Sequence, residues 1–305
     1  MASEIKIEDL VPMNDTQKVI EEVQKIVFMM YPGFDFDPVH KVFNDVLKLF
    51  RGEYPGYRQC TLQFHDLKHT MDCLMAMARL IHGAFVEEFI FPEQDVFLGL
   101  AAALMHDTGY IQTSDDKSGT GAQYTLTHVS RSIEFCNKYF SENKFSLYDP
   151  GVCHNCLECT GLDMKTKDIL FDSPEHEMLA KMVGTSDLLG QMADRTYLSK
   201  ITFLFKEFKE GGVPGFRDEF ELLQKTPGFW EFTRHRFATE MGGTDHFMRN
   251  HFRVRWGIDR DLYKEAIEGN IKYLKFLLEH HPTDYRRYLR RGGLLRKLDE
   301  LEKQS

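Results

Sequence analysis

Three short stretches of this chain carry residue types that hold metal ions and move protons. They are FHDLKHTMD at 64–72, LMHDTGY at 104–110 and GTSDLLGQMADR at 184–195. His65, His69 and Asp72 are offset by three and four residues, which puts them on one face of a helix. His106 and Asp107 are adjacent and close an apolar run at 96–105. A carboxylate at the end of a buried helix is costly without a partner, and metal coordination supplies one. Asp187 follows on a further helix, with Gln191, Asp194 and Arg195 at offsets of four, seven and eight on the same face.

These residues need elements to position them, and nearly every periodic segment reads as helix. The spacing predicts a pair at 16–30 and 39–50, separated by the turn-rich YPGFDFDP, then an amphipathic helix at 66–82 stopped by Gly83. The segment 95–107 (DVFLGLAAALMHD) is apolar nearly all round, as a helix through a domain centre should be. Residues 112–123 form a polar, glycine-bearing loop. Helices are predicted at about 125–141, 151–160, 174–191 and 194–210, the third capped by Ser173 with Pro174 in its first turn. The region 227–303 reads as more helices ending in a basic amphipathic stretch. No strand pattern of useful length appears, so the fold class expected is all-α: one domain over 1–305 with its core at about 40–210 and 211–305 packed on it.

Bulk composition narrows the setting. With 305 residues, 42% hydrophobic and 28% charged, the chain reads as an ordinary globular protein. The apolar run at 96–105 is about half of what a bilayer span needs. No apolar leader is visible at the N-terminus, so a cytoplasmic setting away from membranes is the expectation. A formal charge of −9 argues against a general nucleic-acid binder but not against an anionic small-molecule substrate. Six cysteines in such a chain read as thiols rather than a disulfide framework.

The order His…His-Asp…Asp resembles the signature of the HD superfamily of metal-dependent phosphohydrolases. FHDLKHT is similar to the Tyr-His-Asn-x-x-His-Ala motif of class I cyclic nucleotide phosphodiesterases. The resemblance covers roughly residues 60–200. It implies an HD-type helical bundle in which His69, His106, Asp107 and Asp187 hold a first divalent cation (Mn, Fe, Zn or Mg), with Asp107 bridging to a second where present. It also implies that His65 protonates the leaving oxygen while a metal-bound hydroxide attacks a phosphoester, such as a nucleotide or cyclic nucleotide. The chain departs from the phosphodiesterases at Tyr110, where they carry a further histidine, and in lacking a recognisable base-reading glutamine. Other dinuclear members add two histidines before the final Asp, for which His128 and His154 are candidates, although the second aligns better with Thr160.

The remaining features have plain alternatives. Asp72 either orients a neighbouring histidine or is a solvated helix residue. Gln191 and Arg195 either face substrate, Arg195 as a phosphate fork, or make structural contacts; Lys117 could reach substrate from the 112–123 loop. The run Cys153-His154-Asn155-Cys156-Leu157-Glu158-Cys159 has the C-x2-C-x2-C spacing of part of an iron–sulfur motif, but buried thiols are the reading preferred. The arginines 286, 287, 290 and 291 read as a solvated helix face, and His280, His281, Met71, Met75 and Met77 as surface or packing residues. Two rivals stand beside the phosphohydrolase: a di-iron oxygenase using both His128 and His154, and a non-catalytic ligand-binding domain.

Overall fold

The computed structural model describes residues 5–143, 145 and 148–289. Among them are eleven α-helices: α1 (Thr16–Met30), α2 (Asp37–Arg51), α3 (Leu67–Val86), α4 (Glu93–Met105), α5 (His128–Glu142), α6 (Pro150–Glu158), α7 (Pro174–Ala193), α8 (Tyr197–Glu210), α9 (Glu219–Thr239), α10 (Phe247–Trp256) and α11 (Leu262–His280). The described residues hold no strand, only an isolated bridge between Tyr57 and Thr113. The fold is all-α. No described helix is long and apolar enough to cross a membrane.

Helix starts follow from side-chain caps that satisfy otherwise orphaned N–H groups. Asp15 caps α1, Asp66 caps α3 by accepting from the His69 N–H, and Ser173 caps α7 with Pro174 in the first turn, as expected. Gly52, at φ 74°, ends α2 in the left-handed conformation that glycine adopts at least cost.

The centre of the molecule is α3, buried almost without interruption from His69 to Ala84. It packs against α1, α4, α7 and α10, while α11 packs on α7 and α9. One apolar cluster runs from Val11 to Leu289, so the C-terminal helices belong to the same core as the first ones. Met71, Met75 and Met77 are fully buried packing residues within it. The nearly all-apolar α4 is buried throughout from Asp95 to Met105, as expected of a helix through the domain centre, and it meets α2, α3, α6 and α7.

Three sequence expectations are corrected. Gly83 does not stop α3, which continues to Val86. A Cβ there would stand 1.9 Å from the Phe247 carbonyl oxygen, so this glycine is a notch that admits α10. The C-terminal helices begin ahead of the expected region 227–303: α9 starts at Glu219, capped by Asp218, and carries Pro227 in its interior. The basic end is not helical where it is described: Tyr285–Arg287 is a single 3-10 turn, with Arg286 paired to Glu219. Arg290 and Arg291 lie outside the described residues.

Candidate metal centre

Three chain segments converge inside this core. α3 supplies His69 near its N-terminus, the end of α4 supplies His106 and Asp107, and the middle of α7 supplies Asp187. The His-Asp turn is locked from α5: the Gly109 N–H donates to Ser132 Oγ, which donates to the His106 carbonyl at 2.6 Å. His69, His106 and Asp107 are all buried, and each offers a ligand atom to one shared point. This buried group could hold a metal ion.

The distances bear on that fit. His69 Nε2 lies 3.1 Å from His106 Nε2, and Asp107 Oδ2 lies 3.4 and 3.3 Å from these two nitrogens. Asp187 Oδ1 adds contacts of 3.1 Å to His69 and 3.7 Å to His106. Donors about 2.0–2.2 Å from one ion stand about 3 Å apart in octahedral and about 3.4 Å apart in tetrahedral sites, which matches this spacing. His106 Nδ1 is 2.8 Å from the Ala103 carbonyl, which places the ring proton on Nδ1 and turns the Nε2 lone pair inward. Asp107 Oδ2 is buried without a hydrogen-bond donor. Facing lone pairs and an orphaned carboxylate oxygen call for a cation.

The electrostatics say the same. Burial opposes the imidazolium of His106, yet the Asp107 carboxylate outweighs it and raises the pKa well above the usual value. Burial likewise works against an ionised Asp107, and the nearby charge of His106 outweighs it and holds its carboxyl far below the ordinary range. Asp187 is lowered too: burial is overcome by the hydrogen bond from His69 and the charges of His106 and His69.

His65 sits beside this group, its ring centroid 6.1 Å from that of His69. Its Nδ1 lies 2.7 Å from Glu207 Oε2, and Glu207 Oε1 accepts the N–H groups of Gln63 and Phe64. Burial works against protonation, but this bond and the charges of Glu207, Asp107 and Asp187 raise the pKa of His65. Glu207, on α8, was not legible in the sequence: it lies 142 residues away and carries no motif. Tyr110 is buried and stacks against both His65 and His128, with centroids 4.4 and 4.5 Å apart and planes inclined by 16° in each case. His128 therefore reaches the wall of the site. Its Nδ1 lies 2.7 Å from the Thr125 carbonyl, and burial lowers its pKa.

Other expected residues fall elsewhere. His154 is not brought to the cluster; it is half-exposed on α6 beside Glu158, at 3.4 Å. Asp72 is neither solvated nor a partner of His69, whose Nδ1 has no hydrogen-bond partner. It is buried against Lys68 at 2.6 Å, and burial pushes its carboxyl up to about 7 despite that ammonium. Gln191 lines a narrow gap with His69 and Asp72. Arg195 is exposed and 3.5 Å from Glu8. Lys117 is exposed on a loop tied down by Thr120 to Glu210 and by Tyr124 to Asp116. The six cysteines are free thiols, five of them buried, and among the described residues the C-x2-C-x2-C run forms no metal-ligating group.

Residues 114–241 are similar to the family model described as Npun_R2479-like. That stretch includes His128, Asp187 and Glu207 and begins after the His106-Asp107 pair. No curated protein matches this chain.

Proposed function

We propose that the protein is a metal-dependent phosphohydrolase of the HD type, acting on a small phosphoester, most specifically a nucleotide or cyclic nucleotide. The observation that carries this reading is the pairing of the converging donors with a buried His65 held by Glu207. His69, His106 and Asp107 would hold the ion, with Asp187 beside them and His128 available for a second. A bound divalent cation supplies Lewis-acid charge and lowers the pKa of water, which is the chemistry phosphoester hydrolysis needs.

The chain's own residues supply the rest. Glu207 fixes the His65 ring through Nδ1 and leaves Nε2 as the atom that passes a proton to the departing oxygen. As the phosphorus–oxygen bond to the leaving group breaks, a new one forms to a hydroxide oxygen whose proton has passed to solvent, and the His65 proton neutralises the leaving alkoxide. Tyr110, packed flat on His65, keeps solvent from one face of that ring. Asp107 and Asp187 balance cationic charge in a buried setting.

The test is turnover of nucleotide mono-, tri- and cyclic phosphates by Mn²⁺-, Fe²⁺-, Zn²⁺- or Mg²⁺-loaded protein, wild type against His65→Ala. Loss of a positioned general acid is expected to cost about 10²–10⁴-fold in kcat. No hydrolysis of any phosphoester, or equal turnover by His65→Ala, overturns the reading.

A further inference from the structure

A cavity of about 530 Å³ lies between α3, the end of α7, the start of α8, the start of α11 and the segment at 7–14. None of His69, His106, Asp107 or Asp187 lines it. Its volume falls within the range of small-ligand sites, about 300–1,000 Å³. One wall is apolar, formed by Ile7, Val11 and Met13, and the charged lining sets four cations, Lys68, Arg79, Arg195 and Lys200, beside four carboxylates, Glu8, Asp66, Asp72 and Asp194.

Three of those cations are answered by carboxylates. Lys68 lies 2.6 Å from Asp72 and 3.1 Å from Asp194, Lys200 is 2.8 Å from Asp66, and Arg195 is 3.5 Å from Glu8. Arg79 differs. It is 2% exposed, donates from Nη1 to the Tyr263 hydroxyl at 3.0 Å, and lies against the rings of Phe252 and Tyr263. Its Nε is buried with no acceptor, and among the described residues no carboxylate pairs with it. A guanidinium so deeply buried without counter-charge is costly, and the cost disappears when an anion completes the pair.

We propose that this cavity binds a small organic oxyanion, a carboxylate or a phosphate monoester, whose anionic group sits on Arg79 and whose remainder lies against the wall at 7–14. The planar fork of the guanidinium suits either group. Lys68 and Asp72 share the stripe of α3 that carries Arg79, eleven and seven residues before it, so the cavity floor and the His69 helix are one element.

Calorimetric titration of the full chain with inorganic phosphate, AMP and benzoate tests the proposal, in wild type, Arg79→Met and Asp107→Asn. At least one probe is expected to bind wild type and Asp107→Asn equally, and Arg79→Met at least about tenfold more weakly. Benzoate binding without phosphate or AMP assigns the carboxylate class, and the reverse assigns the phosphate class. A thermal melt guards against misfolding: a ligand-free, unpaired Arg79 predicts that Arg79→Met melts no lower than wild type. Absence of binding by all three probes overturns the proposal. So does equal affinity in Arg79→Met, loss of binding in Asp107→Asn, or a lower melting temperature of Arg79→Met, which would make Arg79 a structural partner of Tyr263.

Discussion

Glu207 serves His65 with one oxygen and the backbone of Gln63 and Phe64 with the other, so it fixes both the ring and the chain that carries it. The raised pKa of His65 favours its protonated form, and a general acid is lost only as pH rises through that raised value. Glu207→Gln keeps a hydrogen-bonding group but removes the charge, so the alkaline limb of the kcat profile is expected to move to lower pH. A kcat profile for this variant that overlays the wild-type one would remove Glu207 from the account. At this scale the sequence was informative where residues cluster locally: His65, His69, His106 and Asp107 stand in two short motifs, and Asp187 in a third. It was silent on Glu207 and Arg79, because what makes each unusual is a partner, or a missing partner, contributed by distant chain. Tyr110 was visible as a departure from the phosphodiesterase pattern, but its stacking between two histidines depends on α5.

Among the elements, the α3–α7 seam brings His69 and Asp187 together, and its closeness rests on Gly190. A Cβ there would stand 2.9 Å from both Asp72 C and Cys73 N. Gly190→Ala should gain about 1 kcal/mol in helix propensity, against about 1–3 kcal/mol for overpacking a filled seam. Overpacking is expected to win, with a lower melting temperature and weaker Mn²⁺ binding as α7 is pushed from α3. Unchanged melting and metal affinity would show that the seam yields freely. Most helices were legible from apolar periodicity and caps, as at α1 and α7. Gly83 misled because glycine weakens isolated helices, whereas here the close approach of the Phe247 backbone decides its use, and the stretch before 227 was missed although α9 runs through Pro227.

For the whole molecule, a bound ion would tie together α3, the end of α4 and α7, three elements joined otherwise by side-chain packing. An ion present at about 100 times its Kd stabilises the native state by about 2.7 kcal/mol. At about 2–4 °C per kcal/mol for a chain somewhat smaller than this one, chelation is expected to lower the melting temperature by about 5–10 °C, and added metal to restore it. A melt indifferent to chelation would mean that the donors are held apart from any ion. The all-α class was legible in full because helical periodicity pervades the chain. The placement of α10 against α3 was not, since it depends on a backbone approach between residues far apart in sequence.

The distribution of thiols has a consequence of its own. Cys73, Cys136, Cys153, Cys156 and Cys159 are buried on α3, α5 and α6 or just past its end, while Cys60 is only partly covered and burial pushes its thiol up to about 12. A thiol reagent can therefore reach five of the six only when the surrounding helices part, and a reduced sample carries its own reporters of how often they do. Labelling at Cys73 would time separations beside the metal donors, and labelling at Cys153 and Cys156 those of the α4–α6 contact, which makes the native chain a clock for its own breathing.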